Sequence, residues 1–430
     1  MSELSVLVDS SGPDVVVWLG NGLITIGVVP ALGGRIMSVE AGGQELLFRN
    51  PRLLDPVLHR TPAEAFMPPI DGSMRSWRNY GGDKTWPAPQ GWGGPGQWPG
   101  PPDEVLDSGG YEHVLEERDG GIAVELTSAA DPRTGLRVSR HVAVEPGRCG
   151  YTLTLSFTNA STRPVTWAIW NVTQVLSMAA EAAAPDDGLY VAVDGDGDGV
   201  VEMFSGTGLP AWRRAAEGVL HLPIQDVVGK LGFADATGWL AFVAGERVLC
   251  QRFKVRPGAT YPDGGSRAET WFQYPLNEPL SSLGDLKPED HLVECEVLSP
   301  LTLLAPGQTT ELAIDCDAAT AAGGPVLDVT TAGFITRRLT ASARLEGEYG
   351  VFCPGRLALA WRSETGAPLD EQPLGEVTPT EAVIVDAPTD RPALAAEAVL
   401  ILITDAGQRS ILDRWRVDQP PANHSFRRVP

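Results

Sequence analysis

Two glutamates at alternating positions are the strongest candidates for chemistry in this sequence. Glu294 and Glu296 lie in the segment HLVECEVL, residues 291–298. The period of two in a β-strand places both side chains on one face, opposite an apolar face. Carboxylates that share a partly buried face raise each other's proton affinity, which suits general acid–base catalysis. The alternative interpretation is a solvated strand face that happens to carry glutamates.

A second group of candidates lies in the segment NYGGDKTWPAPQ, residues 79–90. Asn79, Asp83 and Lys84 provide hydrogen-bonding groups, and Trp86 provides a flat ring for the apolar face of a pyranose. An indole, an amide and charged groups on a glycine-rich loop are typical of sugar-binding sites. The alternative is a structured loop whose tryptophan fills a hole beneath it.

An Asp-Gly repeat, VDGDGDGV at residues 193–200, is the only candidate for a metal site. Asp194, Asp196 and Asp198 have the spacing of calcium loops, so the pattern indicates a candidate Ca²⁺ site. However, Ser205 occupies the twelfth position, where such loops carry a bidentate glutamate. The alternative is a polar turn, and the sequence indicates no required cofactor.

Short strands, rather than helices, must position these side chains. Forty-eight glycines and 36 prolines divide the chain into brief segments, and helical periodicity is nearly absent. The segment from Tyr151 to Thr158 alternates apolar and polar residues, and similar runs recur along the chain. The sequence therefore predicts an all-β protein with large antiparallel sheets.

Two segments interrupt this pattern. Residues 85–102, rich in Pro, Gly and Trp, predict a long loop over the lip of a cleft, because proline removes the donors of a central strand. Residues 317–325, DAATAAGGP, predict a linker between residues 1–320 and a second block at 326–430. The second block has the length of one small immunoglobulin-like β-sandwich.

Both ends of the first block resemble the aldose 1-epimerases of the galactose mutarotase superfamily. At the start, a strand ends at Pro30, a Gly33-Gly34 turn follows, and a second strand begins at Arg35. At the end, a strand with a glutamate precedes the segment LAPGQ, residues 304–308. The segment GGDKTWP, residues 81–87, resembles a poorly characterised branch of the same superfamily.

This resemblance implies a large two-sheet β-supersandwich followed by the small sandwich. It also implies that Glu296 or Glu294 is the general base. If the site is a sugar cleft, Asp83, Lys84 and Trp86 converge with Arg35 and Glu296 on one pocket.

The family's catalytic histidine falls on Trp170, which cannot act as an acid. The pair Trp167 and Trp170 suits a binding platform, and packing in the core is the alternative. Lys84, His113 or a water molecule then replaces that histidine as proton donor.

The expected function is an aldose-1-epimerase-like reaction at a sugar anomeric centre. A non-catalytic carbohydrate-binding or sensing protein on the same fold is the alternative, and a lyase or hydrolase is a third option. The retained glutamates favour the enzyme, whereas the replaced histidine favours the binding protein.

Charge and cysteine content indicate the partners and the compartment. The formal net charge is −22 and the pI is near 4.6, which disfavours nucleic acid and anionic membranes as partners. A small-molecule carbohydrate remains compatible with this charge. Five widely spaced cysteines, the lack of a signal-peptide pattern and the lack of a long apolar run predict a cytoplasmic protein with reduced thiols. The oligomeric state is not predicted.

Overall fold

β-strands make up nearly all of the regular structure. The computed structural model describes residues 4–416 except 63, 65, 66, 68, 92–97, 119, 196–198, 342 and 343. Short 3-10 helices lie at Met74–Ser76, Ala180–Ala182, Asp263–Gly265 and Ser281–Leu283. Within the described residues, no helix has the length and apolar character needed to cross a membrane. The prediction of an all-β fold is confirmed.

The first large sheet carries the candidate glutamates. Strands are numbered in chain order, and those of this sheet are β1 (Ser5–Asp9), β2 (Val16–Gly20), β3 (Ile24–Val29), β4 (Arg35–Ala41), β5 (Gln44–Glu45), β6 (Asp83–Ala88), β11 (Val165–Leu176), β13 (Val200–Ser205), β16 (Gly229–Phe233), β19 (Ala268–Gln273), β20 (Leu292–Leu298) and β21 (Thr302–Leu304). Their order is β1-β2-β3-β4-β6-β11-β20-β19-β16-β13, with β5 beside β4 and β21 beside β11. The pairings at the centre of the sheet are antiparallel. The strand order places β6, β11 and β20 side by side there, so distant parts of the chain meet.

The second large sheet packs against the first. Its strands are β7 (Glu112–Arg118), β8 (Gly121–Thr127), β9 (Leu136–Val144), β10 (Gly150–Asn159), β12 (Gly188–Val193), β14 (Arg213–Ala216), β15 (Val219–Pro223), β17 (Ala236–Ala244), β18 (Arg247–Phe253) and β22 (Thr309–Thr320). Their order is β14-β15-β12-β17-β18-β22-β10-β9-β8-β7.

Two four-stranded sheets form the small C-terminal sandwich. Their strands are β23 (Asp328–Val329), β24 (Gly333–Ala341), β25 (Arg344–Val351), β26 (Gly355–Arg362), β27 (Pro368–Val377), β28 (Val383–Pro388), β29 (Glu397–Thr404) and β30 (Arg409–Arg416). The orders are β23-β24-β25-β28 and β27-β26-β29-β30. The proposed boundary between residues 320 and 326 stays a prediction, although β22 ends at Thr320 and β23 begins at Asp328.

The alternation in β10 shows why the two large sheets pack together. Tyr151, Leu153, Leu155 and Phe157 are buried in the main core, while the intervening residues are half-buried. Fully burying one such Leu or Phe side chain stabilises the fold by about 1.5–3 kcal/mol. This row of apolar side chains therefore holds the second sheet against the first.

The small sandwich has its own core and also packs on the outer face of the second sheet. Leu359, Trp361 and Leu400 are fully buried within it. A separate apolar cluster joins Phe334 and Phe352 of the small sandwich to residues of the second large sheet. The apolar surface on both sides of this contact is removed from water.

One prediction about the proline-rich segment is wrong, because residues 85–88 belong to a central strand. Trp86 pairs with Trp170 and Pro87 pairs with Ile169 in the β6–β11 ladder. The backbone amide of Gln174 donates to the carbonyl oxygen of Gly82. Because successive backbone groups of a strand alternate in direction, the nitrogen of Pro87 points away from β11. On that side β4 pairs with β6 only at Asp83. The missing donor of Pro87 therefore removes no ladder hydrogen bond. Part of the remainder, including Trp92, lies outside the described residues.

Candidate functional site

The candidate site lies on the face of the first sheet that is turned away from the second sheet. The registers place Glu296 opposite Val172 and Lys84 opposite Val172, while Glu294 lies opposite Gln174. Directly opposed residues of neighbouring strands point to the same face. Glu294, Glu296 and Lys84 therefore share one face, as the spacing of the glutamates predicts.

Glu294 is held by two donors on this face. Lys84 Nζ lies 3.1 Å from Glu294 Oε1, and Gln174 Nε2 donates to the same oxygen at 2.7 Å. Gly81 and Gly82 enter β6 with φ values of +99° and +73°, a conformation that favours glycine. A Cβ on Gly82 would lie 2.4 Å from the carbonyl oxygen of Ile36, so this glycine allows β4 to approach β6 closely.

Glu296 belongs to a second charged cluster that is buried beside the first. Lys230 Nζ lies 2.7 Å from Glu296 Oε2 and 2.7 Å from Glu269 Oε2. Trp170 Nε1 donates to the same oxygen of Glu296 at 2.5 Å. Glu269 and Glu296 face each other directly across β19 and β20. The lysine thus bridges two carboxyl groups that would otherwise repel each other.

Burial shifts the pKa values of these groups in opposite directions. Loss of solvent lowers the pKa of the Lys84 ammonium, an effect that Glu294 only partly offsets. Loss of solvent also raises the pKa values of Glu269 and Glu296. For Lys230, the attraction of Glu269 and Glu296 outweighs burial and raises the pKa. Lys230 therefore keeps its positive charge more firmly than Lys84 does.

Aromatic rings surround the charged groups and line an open cleft with about 660 Å³ of empty space, its mouth included. Trp86 packs against Trp98 and Trp170, with ring centroids 5.2 and 5.3 Å away. Lys230 Nζ lies 4.1 Å from the centroid of the Trp170 ring. The lining residues are Met74, Trp77, Trp86, Gln90, Pro101, Trp170, Gln174, Phe204, Lys230, Trp271, Gln273, Leu283, Leu286 and Glu294.

The structure brings together some of the predicted residues but not all of them. Trp86, Trp170 and Glu294 line the cleft, whereas Lys84 and Glu296 lie directly behind the lining. Arg35 is fully buried and pairs with Asp107, whose other oxygen accepts a hydrogen bond from the Trp77 indole at 3.0 Å. Arg35 therefore supports a cleft residue without lining the cleft.

Asp83 and Asn79 lie elsewhere than the sequence suggested. The neighbours of Lys84 in β6 point to the opposite face, so Asp83 lies between the two large sheets. There Arg140 Nη2 donates to its carboxylate at 2.5 Å, and Asn171 Nδ2 donates at 2.7 Å. Asn79 lies before β6, where its side-chain oxygen accepts the amide of Gly81 at 3.3 Å. Neither residue is in the cleft lining.

The other candidates are also away from the cleft. His113, an alternative proton donor, is exposed in β7 at the edge of the second sheet. Asp194 follows β12, and its amide donates to the carbonyl of Asp235. Asp196 and Asp198 lie outside the described residues. Among the described residues, no group of three His, Cys, Asp or Glu side chains is placed to hold a metal ion.

Sequence reasoning missed three residues of this site: Lys230, Glu269 and Trp271. The sequence could have indicated Lys230, because the chain has only four lysines and this one lies within the apolar run VVGKLGF, residues 227–233. Lysine is rarely buried without a partner, so its presence in an apolar strand indicates a nearby carboxylate. Glu269 and Trp271 alternate in β19 in the same way as the two predicted glutamates.

The fold and the cleft define an all-β protein with a cluster of acid and base groups on the free face of a large sheet. The chain belongs to the family described as "Domain of unknown function (DUF4380)", whose model matches residues 16–314. Comparison with curated proteins finds no match.

Several solved structures are similar in fold. A galactose mutarotase-like protein from Clostridium acetobutylicum has 9% identity and a TM-score of 0.44, and the match covers 74% of this chain and 100% of that one. A galactose mutarotase-like protein from Lactobacillus casei has 10% identity and a TM-score of 0.43, over 70% of this chain and 99% of that one. A TPR-domain containing protein from Parabacteroides distasonis has 11% identity and a TM-score of 0.45, over 70% of this chain. This chain spans 46% of the length of the Parabacteroides protein.

Proposed function

We propose that this is a carbohydrate-active protein whose cleft binds a sugar and performs aldose-1-epimerase-like chemistry at the anomeric centre. The observation that carries the proposal is Glu294, a carboxylate that lines a tryptophan-rich cleft and is fixed by Lys84 and Gln174. A base in such a site needs a fixed position and access to the ligand. Glu294 is held by two donors and lines the cleft.

The aromatic side chains supply the surface for the sugar ring. Trp86, Trp170 and Trp271 come from three different strands and line the same cleft. A pyranose offers a C–H face to the rings and hydroxyls to the polar groups.

The proposed reaction moves one proton off the sugar and one proton onto it. Glu294 takes the proton of the anomeric hydroxyl, the bond between C1 and the ring oxygen breaks, and the ring oxygen is protonated. Rotation about the bond between C1 and C2 followed by the reverse steps forms the other anomer. Solvent supplies the proton to the ring oxygen, because Lys230, which lines the same cleft, is already engaged by Glu269 and Glu296.

Polarimetry on freshly dissolved aldoses tests this proposal. We expect the protein to accelerate mutarotation of at least one aldose over buffer. Replacing Glu294 by Gln should lower that rate about 10²–10⁴-fold, the usual contribution of a positioned base. Replacing the exposed Glu311 by Gln, in the other sheet, is the matched control and should leave the rate unchanged. Equal rates for the wild type and Glu294→Gln would refute the assignment of the base.

A binding protein without turnover is the second candidate, and one observation favours it. Trp170 stands where the resembling family has a histidine, and its indole donates to Glu296, which Lys230 also engages. The Oε2 oxygen of Glu296 is therefore engaged by protein groups, and Glu296 is not in the cleft lining, so it is poorly placed to accept a proton from a ligand. Sugar binding by calorimetry without any acceleration of mutarotation would favour this candidate.

A further inference from the structure

Carboxyl groups outnumber ammonium groups around the cleft. Glu269, Glu294 and Glu296 are buried there, and Asp263 faces Glu269. Against these four carboxyl groups, the described residues of the cluster provide two ammonium groups, those of Lys84 and Lys230. The nearby Arg35 is already balanced by Asp107.

Both lysines are committed to carboxylates within the protein. Lys84 contacts Glu294, and Lys230 contacts Glu269 and Glu296, all at 3.1 Å or less. Among the described residues that line the cleft there is no arginine. Recognition of a phosphate or carboxylate on a ligand normally uses arginine or an unengaged lysine. An anionic sugar would therefore meet excess negative charge without a cation to receive it.

A positive charge on the ligand would instead be attracted by the excess of carboxyl groups. Glu296 Oε1 is buried and has no hydrogen-bond partner among the described residues. Burial raises the pKa values of Asp263, Glu269 and Glu296, and a nearby positive charge on a ligand would favour their ionised forms. The lining also presents Trp77, Trp86, Trp170, Trp271 and Phe204, whose ring faces attract ammonium groups. The protein uses these faces itself, since Lys84 Nζ lies 4.7 Å from the centroid of the Trp86 ring.

We propose that the cleft selects its ligand by charge. It recognises amino sugars, which carry a positive charge, and excludes phosphorylated and acidic sugars. This inference rests on the proposed carbohydrate-binding function and specifies its substrate class. The physical reason is that an ammonium group on the sugar compensates the excess carboxyl groups and contacts electron-rich rings, whereas a phosphate does neither.

Titration calorimetry of the full chain against matched sugars tests the inference. The probes are D-glucosamine, D-glucose, D-glucose 6-phosphate and D-glucuronate, together with the corresponding galactose series. We expect the amino sugar to bind more tightly than the parent sugar, on the order of tenfold, for one extra charge near a partly buried carboxylate. The phosphate and the uronate should bind more weakly than the parent sugar.

Two variants remove negative charge behind the lining. Glu269→Gln should reduce the ratio of the affinities for the amino sugar and the neutral sugar several-fold. If Glu269→Gln does not fold, Asp263→Asn provides the same test, because Asp263 has a φ of +51° and asparagine tolerates that conformation. Glu311→Gln, which removes one exposed carboxylate from the other sheet, is the control and should change no preference.

The outcomes separate this inference from the function on which it rests. Equal affinity for the amino and neutral sugars, or tighter binding of the phosphate, overturns charge selection and leaves the sugar-binding proposal standing. A preference that persists unchanged in both Glu269→Gln and Asp263→Asn also overturns it. If neither series contains a sugar that binds, the proposed function itself fails and charge selection fails with it.

Discussion

Lys84 Nζ lies 3.1 Å from Oε1 of Glu294, directly behind the lining of the cleft, although 210 positions separate the two residues in the chain. The contact exists because β11 lies between β6 and β20 and pairs with both. Each residue is an outlier by itself, a buried cation and a nearly buried anion, and each is stable there because of the other.

Breaking this pair should be more harmful than removing it. Glu294→Gln leaves the Lys84 ammonium buried without its counter-charge, and we expect a loss of about 3–5 kcal/mol in the free energy of unfolding. The double variant Lys84→Met/Glu294→Gln should recover a large part of that loss, because no unpaired charge remains. Urea unfolding of both single variants and the double variant gives the coupling energy. Strictly additive effects would show that the two groups do not interact.

The tryptophans of the cleft should separate into a binding residue and a packing residue. Trp271 is half-buried, so Trp271→Ala should weaken sugar binding several-fold, by about 1 kcal/mol, with little change in the melting temperature. Trp86 is buried against Trp98 and Trp170, so Trp86→Ala should cost about 3–5 kcal/mol of stability.

Calorimetry and thermal unfolding of both tryptophan variants provide the comparison. A Trp271→Ala protein that binds sugars as well as the wild type would remove this ring from the binding surface. A Trp86→Ala protein with an unchanged melting temperature would contradict its role in packing.

Asp83 should behave as a structural residue, although it adjoins Lys84 in the chain. Asp83→Asn leaves Arg140 buried without a full counter-charge, because both side chains are fully buried between the sheets. We expect a loss of about 3–5 kcal/mol in stability and no change in the sugar affinity of the folded protein. Asp315→Asn is the control, since Asp315 is 40% exposed and pairs with Arg148, and its loss should cost about 1 kcal/mol or less. Reduced sugar affinity in the folded Asp83→Asn variant would show that Asp83 contributes to sugar binding.

His221 should make the protein less stable in mild acid. Burial, followed by the nearby positive charge of Arg213, lowers the pKa of His221 from 6.5 to about 4. Between these values the unfolded chain binds a proton that the folded protein does not. The contribution is therefore fully present above pH 6.5 and is lost as the pH falls toward 4. The loss amounts to about 3 kcal/mol.

The pH dependence can be assigned to His221 with one variant. His221→Phe keeps an aromatic ring against Tyr190, where the two ring centroids lie 4.3 Å apart, but it removes the titrating group. Urea unfolding between pH 4 and pH 7 should show a smaller slope of stability with pH for this variant than for the wild type. Identical slopes would mean that His221 titrates alike in the folded and unfolded states.

Much of the fold could be predicted because alternation is a local property. The row from Tyr151 to Phe157 identifies a strand and its buried face without knowledge of its neighbours. The same reasoning places Glu294 and Glu296 on one face of β20. Pro87 shows the limit of this local reasoning. Whether a proline breaks a strand depends on the neighbouring strand, and β4 does not extend alongside Pro87.

The sequence by itself determined the alternation within each strand. Only the tertiary structure decided which face of each strand lines the cleft. Asp83 and Lys84 are adjacent and both charged, yet one lies between the two sheets and the other lies behind the cleft. Lys230, Glu269 and Glu296 form one cluster only because β16, β19 and β20 are neighbours. The physical reason is that period-two geometry sets the relative side of each residue, whereas the packing of the second sheet sets which side becomes the core.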